Sequence, residues 1–296
     1  MFKTILIALD GTPEAEAIVP TARALARARY AELVLVRITD NYHPTAAENV
    51  AAKQYLDEVI QRHGLGRLRV RTELRYGDVA EQLVAAASEA NADLIALATH
   101  GRQGIARAWF GSVTEHVLAN SPVPLLVLRA EGEPTGQIKR LLVPLDNTPE
   151  SSAALDVARD VAILTAAHLH LVQVVEPQPG WVNRAEIAPV WEEEMRVGVQ
   201  AHLDAMIAQL YARGIVSTAE AAIGPVAETI GQLARERGSD LIVMGTHGFT
   251  GSRRAVYGSV ADEVVRTSGV PVLLIRQGAA VAVGVPQGAQ ATELDV

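Results

Sequence analysis

The chain contains no cysteine, which excludes disulfides, thiolate nucleophiles, Cys-built zinc sites and iron–sulfur clusters together. Long apolar runs are missing too. Hydrophobic residues make up 49% of the 296, yet no stretch approaches the ~20 consecutive apolar residues that cross a bilayer, so a soluble protein without a membrane partner is expected. The amino-terminal stretch reaches Asp10 too early for the apolar region of a signal peptide, and a cytoplasmic location follows as an expectation. Basic excess is also lacking: formal net charge is −8 and the pI about 5.5, a field that repels phosphate backbones and disfavours nucleic-acid partners. One nucleotide can still be held, because backbone N–H groups in a tight loop supply positive potential whatever the net charge.

What the chain does have is an internal repeat. Ile5-Leu6-Ile7-Ala8-Leu9-Asp10-Gly11-Thr12-Pro13-Glu14 returns as Leu141-Leu142-Val143-Pro144-Leu145-Asp146-Asn147-Thr148-Pro149-Glu150 at an offset of 136. Ala92-Asp93-Leu94 through Thr99-His100-Gly101 returns as Ser239-Asp240-Leu241 through Thr246-His247-Gly248 at 147. Leu33–Ile38 and Leu169–Val174 still match at 136, so the 11 added residues fall later. Pro177, Pro179, Gly180 and Pro189 suit a loop over Glu176–Trp191, in which Trp181 and Trp191 read as packing anchors.

Within each copy, short β-rich apolar runs alternate with helical stretches, the pattern of an α/β fold with a doubly wound, mostly parallel sheet of five strands. In the first copy the strands are expected near 3–9, 32–38, 68–75, 93–98 and 123–128. Thr12-Pro13-Glu14 and Thr148-Pro149-Glu150 read as N-cap, N1 proline and first-turn acid, opening a helix after each first strand. The domains are placed at 1–135 and 136–277, joined by a Gly-, Glu- and Pro-containing linker over Ala130–Gln137, with 278–296 as a disordered tail.

The chemistry is expected after the fourth strand. In the second copy Gly245-Thr246-His247-Gly248 is followed by nine residues and then Gly258-Ser259 opening the last helix. Glycine lets a backbone come close to a ligand, so that successive N–H groups converge on phosphate oxygens, and a helix N-terminus adds orphan donors. The pattern is neither G-x-x-x-x-G-K-[ST] nor G-x-G-x-x-G.

A strand followed by G-x-x-G, nine residues and G-[ST], repeated beside a D-x-T-P-E turn, resembles the nucleotide motif of the universal stress protein family, over about residues 1–277. The resemblance implies an adenine nucleotide alpha-hydrolase-like fold with strand order 3-2-1-4-5 in each domain. It implies ATP or another adenine nucleotide where strands one and four diverge, with Mg²⁺ as an accompanying ion, and a regulatory role in stress response. Asp146 would then contact adenosine and the Val174 backbone the adenine edge, while Gly245, Gly248, Gly258, Ser259 and Val260 hold ribose and phosphates. The first-copy counterparts are Asp10, Ile38, Ala98, Gly101, Gly111, Ser112 and Val113. Ala98 departs from the motif's first glycine, and if that position needs a left-handed backbone, alanine costs roughly 1–2 kcal/mol.

Arg107 and Arg254 recur in the two loops and are either partners of a terminal phosphate or solvated surface arginines. His100 and His247 recur as well, but a single His without a second ligand makes no metal site. Asp10 and Asp146 also suit a turn that leads into a helix. No Walker lysine, second acidic metal ligand or triad is present, so weak ATP hydrolysis is the most that is expected of an enzyme. A further alternative is an assembly module with a vestigial pocket. The last strands, Val123–Leu128 and Val270–Ile275, are apolar edges expected to pair internally as a pseudo-dimer, with a homodimer formed beyond that.

Overall fold

The computed structural model describes residues 2–39, 41–99, 111–132, 134, 136–177, 188–246 and 259–276. Five strands come from the first half: β1 (Thr4–Leu9), β2 (Glu32–Thr39), β3 (Arg69–Tyr76), β4 (Leu94–Thr99) and β5 (Leu125–Arg129). Five come from the second: β6 (Arg140–Pro144), β7 (His168–Val175), β8 (Ser217–Ile223), β9 (Leu241–Thr246) and β10 (Val272–Arg276). Each first-half strand lies within two residues of its expected place.

All ten form one sheet in the order β3-β2-β1-β4-β5-β10-β9-β6-β7-β8. Read from either end, each half has the order 3-2-1-4-5 implied by the resemblance. Strands within a half are parallel. The halves meet through antiparallel β5 and β10, with Val127 opposite Val272, Leu126 opposite Leu273 and Leu125 opposite Leu274. These side chains are fully buried, so each half covers the other's most apolar edge, as the sequence expects. Helices on the two faces close two cores.

An isolated fragment of residues 1–135 exposes the β5 edge with its ladder unpaired, the arrangement that templates strand addition. Such a fragment is expected to self-associate or aggregate in sedimentation experiments. A well-behaved monomer would contradict the role given to this seam.

Repeated local chemistry fixes the start of each half. Asp93 Oδ2 accepts hydrogen bonds from the Lys3 and Thr4 N–H groups at 2.6 and 3.0 Å. Asp240 Oδ2 does the same for Lys139 and Arg140 at 2.8 and 2.9 Å. The carboxylate ahead of the fourth strand thus pins the first strand beside it in both copies.

The helices differ where the sequences differ. In the first half, α1 (Pro13–Glu16) stops and α2 (Val19–Arg29) restarts, whereas α6 (Pro149–Thr165) runs without a break through the equivalent stretch. Between β2 and β3 lies α3 (Ala46–Arg62), and α4 (Val79–Glu89) and α5 (Ser112–Asn120) complete the half. The second half has α7 (Ala188–Tyr211), α8 (Val226–Glu236) and α9 (Ser259–Thr267).

The added residues correct one expectation. α7 is 24 residues long against 17 for α3, so much of the insertion lengthens a helix, and Pro189 and Trp191 belong to it instead of to a loop. Proline is tolerated there because a first-turn N–H has no intrahelical acceptor to lose. Trp191 is 40% exposed and stands on α7, so it does not anchor a loop; Trp181 lies outside the described residues.

One buried polar cluster sets a pH dependence. His170 on β7 is buried; its Nδ1 lies 2.8 Å from Thr218 Oγ1 and its Nε2 3.5 Å from Glu220 Oε2, while Glu220 also pairs with Arg237. Burial, and then the Arg237 guanidinium, hold the imidazole below the ordinary histidine value despite Glu220, and burial lowers His168 as well. The folded state therefore binds fewer protons than the unfolded one. Its stability contribution is complete above the ordinary histidine value and is lost as pH falls below it toward the folded value. Melting temperature is expected to drop from pH 7 to about pH 5, less steeply in a His170→Asn variant; parallel curves would refute this.

Candidate functional site

The two halves build the same crevice. β1 pairs with β4 only through Ile5–Leu94, Leu6–Ile95 and Ile7–Ala96, and β6 with β9 only through Leu141–Leu241 and Leu142–Ile242. Beyond those pairs the strands separate toward their carboxyl ends. The chain leaves one strand for one side of the sheet and the other for the opposite side, which is the switch point where open α/β sheets bind ligands.

Separation begins one pair earlier in the second half, and Pro144 supplies a reason. Successive peptide groups in a strand point to opposite neighbours, and the Leu145 N–H reaches Val172 O on β7 at 2.8 Å. Position 144 therefore faces β9, where proline has no N–H to donate. Ala8 occupies this place in the first half.

At the lip of each crevice stands the predicted aspartate. Asp10 Oδ1 accepts the Thr12 N–H at 2.8 Å and the Thr12 hydroxyl at 2.6 Å; Asp146 Oδ1 accepts the same groups of Thr148 at 3.1 and 2.5 Å. The threonines are the N-caps, accepting from Ala15 N and Ser151 N, and Pro13 and Pro149 follow as expected. Each aspartate thus braces the cap, with its carboxylate held at the mouth of the crevice.

Ile38 and Val174 lie inside β2 and β7, near their ends. Thr39 O and Val175 O accept from Gly77 N and Gly224 N at 2.9 and 3.1 Å, so the neighbouring peptide groups of Ile38 and Val174 point the other way, toward β1 and β6. Both lie past the last register pairs, Leu9–Arg37 and Pro144–Val172. The backbone named for the adenine edge therefore faces the crevice in both halves.

Gly245 is in β9 opposite Ile275 of β10, and its backbone is not in the left-handed region. The conformational reason considered for Ala98 does not operate. The reason for glycine is steric: a Cβ at 245 would lie 2.5 Å from the Glu150 carbonyl carbon, 2.6 Å from its oxygen and 2.8 Å from its Cβ. The first turn of α6 lies directly on β9. Ala98, paired with Leu128 on β5, carries the methyl group that Gly245 excludes, so the corresponding turn of α1 stands farther from β4.

Gly111 is the N-cap of α5, and a Cβ there would meet nothing within 4 Å among the described residues. Ser112 opens α5 and is exposed; Val113 is half-buried. Ser259 opens α9, and Val260 packs against the core. Gly101, Arg107, Gly248, Arg254 and Gly258, with His100 and His247, lie outside the described residues. The Glu115 carboxyl in the first turn of α5 is pushed up by burial and by Asp262, its counterpart in α9.

Three features were not anticipated from sequence. Glu150, read as a first-turn acid, also sets the size limit at position 245. Arg37 lies over the Tyr55 ring at 5.0 Å, and its Nη2 is 3.0 Å from where a Cβ of Gly11 would be. Gly11 has φ +100, while Asn147 replaces it at φ +62 and Gln173 replaces Arg37, its Oε1 buried without a hydrogen bond. The first-half turn therefore rests on a guanidinium that the second half lacks. Comparing the copies at 11/147 and 37/173 could have flagged the pair.

Among the described residues no helix is long and apolar enough to cross a membrane, and no three His, Cys, Asp or Glu residues are grouped to hold a metal ion.

Comparison with known proteins agrees with the architecture. The chain is 25% identical over 230 residues to a universal stress protein of Mycolicibacterium smegmatis, covering 76% of this chain and 74% of that one. It is 31% identical over 142 residues to a universal stress protein of Thermus aquaticus, covering 44% of this chain and 100% of the relative. The crystal structure of a universal stress protein from Archaeoglobus fulgidus superimposes with a TM-score of 0.70 at 20% identity, covering 93% of this chain and 98% of that one, and shows the same fold. The family pattern itself, universal stress protein, matches residues 1–129 and again 137–276. The chain belongs to the universal stress protein family.

Proposed function

We propose that this protein is an adenine-nucleotide-binding module, with ATP as the leading ligand and the second half as the stronger site. The observation that carries the reading is the crevice between β6 and β9. It opens at the switch point, with the Asp146 carboxylate at its mouth, the Val174 backbone facing it and the end of β9 at Thr246 beside it. Asp146 and Val174 hold adenosine in this reading, and Gly248, Gly258, Ser259 and Val260 hold ribose and phosphates, with Arg254 near the terminal phosphate. No step of chemistry is assigned to the site; binding biases shape or assembly, and hydrolysis is weak. The domains divide near residue 136, and the protein acts in the cytoplasm as a homodimer.

The assembly alternative loses its clearest surface, because β5 and β10 are already joined within one chain. Mass spectrometry of ligand released from freshly purified, denatured protein tests the reading. Adenine nucleotide in substoichiometric to equimolar amount is expected; a different resident ligand displaced by no adenine nucleotide would overturn it.

A further inference from the structure

The strands that end the sheet, β3 and β8, each have a neighbouring strand on one side only, the arrangement that invites strand addition. The halves treat this liability differently. β3 carries Arg69, Arg71, Glu73 and Arg75, and charge along an edge discourages pairing. β8 has the single charged residue Glu220 among mostly small residues, and that carboxylate is already paired with Arg237. Charge does not guard this edge.

A side chain of α7 does. The ladder to β7 fixes which peptide groups of β8 point outward. Leu169 N–H donates to Val216 O at 3.0 Å and Gly224 N–H to Val175 O at 3.1 Å, so the even-numbered residues face β7 while Ser217, Ala219, Ala221 and Ile223 face away. Gln200 reaches two of these outward groups. Its Oε1 accepts from the Ala221 N–H at 2.9 Å, and its Nε2 lies 3.4 Å from the Ala219 carbonyl oxygen.

In a parallel sheet, one residue of a neighbouring strand accepts from an N–H and donates to the carbonyl two residues before it. The Gln200 amide therefore fills the place of one residue of a further strand. Asp204, one turn along α7, accepts from Nε2 at 2.8 Å and so holds the amide with its oxygen toward Ala221.

Around this guarded centre the edge is apolar. Val216 is 68% and Ile223 38% exposed, one at each end of β8. A two-fold antiparallel pairing of β8 with β8 of another copy brings the Val216 end of one chain to the Ile223 end of the other, and it closes after two chains. Pairing β8 with β3 of another copy would be open-ended and would meet the charged row of β3.

We propose that the β8 edge is a self-association surface gated by Gln200. In the single chain the amide occupies the central donor and acceptor; a second copy of this chain takes them when the amide swings out, so that two sheets join β8 to β8. Each pairing displaces two amides, so the gate weakens association without forbidding it. Nucleotide binding plays no part in this step.

The test is sedimentation velocity on the full chain over a concentration series, with folding followed by circular dichroism. Gln200→Met keeps the length of the side chain and removes both hydrogen-bonding groups, and Gln200→Ala removes the amide outright. Both are expected to lower the dissociation constant of a mass-doubling step by about ten-fold or more, because two hydrogen-bonded amides no longer oppose it. Adding Ala221→Pro, which deletes the central outward N–H and is tolerated on an edge strand, should restore the wild-type constant or weaken association further. Hydrogen exchange on the dilute wild-type chain should find the Ala221 amide protected despite its place on the edge. An unchanged constant in both Gln200 variants, open-ended aggregation in place of doubling, a doubling that Ala221→Pro does not reverse, or an unprotected Ala221 amide would overturn the proposal.

Discussion

Gly245→Ala is expected to destabilise the second half by roughly 1–3 kcal/mol, the usual cost of forcing a methyl group into a filled space, and to weaken nucleotide binding. The methyl would lie 2.5–2.8 Å from the backbone and Cβ of Glu150, and those atoms cannot swing aside as the tip of a flexible side chain could. Relief requires the first turn of α6 to move off β9. That turn carries Thr148 and, through it, the Asp146 brace, so the displacement reaches the mouth of the crevice. The reverse change, Ala98→Gly, adds no atoms and should cost only about 0.5–1 kcal/mol in backbone freedom. Thermal or urea unfolding checks both, and a neutral Gly245→Ala would show that α6 yields without strain.

The second large effect separates the two crevices. A Gly248→Val plus Gly258→Val variant is expected to abolish most nucleotide binding, whereas Gly101→Val plus Gly111→Val should change it little. Three differences favour the second half: the β6–β9 ladder ends one pair earlier at Pro144, the helix turn is packed tightly on Gly245, and the first-half turn rests on Arg37 where the second has Gln173. If binding is near −8 kcal/mol, which is micromolar, loss of the second site leaves an affinity weaker by ten-fold or more. Calorimetry on both variants, with folding confirmed by circular dichroism, reads the difference. Equal losses would show the crevices to be equivalent.

Much of the architecture was legible because its signals are local. Strand runs such as Leu33–Ile38, the Thr-Pro-Glu cap and the repeat itself each state a short-range preference, and the structure follows them within a residue or two. The seam between β5 and β10 was legible for a different reason, since an apolar edge strand has few stable alternatives to being paired. What sequence could not show depends on atoms distant along the chain. Gly245 reads as a flexible loop glycine until Glu150 is found against it, and Arg37 reads as a strand residue until Gly11 and Tyr55 are found on either side. Trp191 misled because Pro177, Pro179, Gly180 and Pro189 look like one loop, although a proline in a helix's first turn disturbs nothing.

Nucleotide binding by the full chain is the central claim, and calorimetric titration of the nucleotide-stripped protein with ATP tests it most directly. One dominant site of micromolar affinity is predicted, with a rise in melting temperature that disappears in the Gly248→Val plus Gly258→Val variant. No heat and no melting shift, with resident ligand excluded by mass spectrometry, would contradict it.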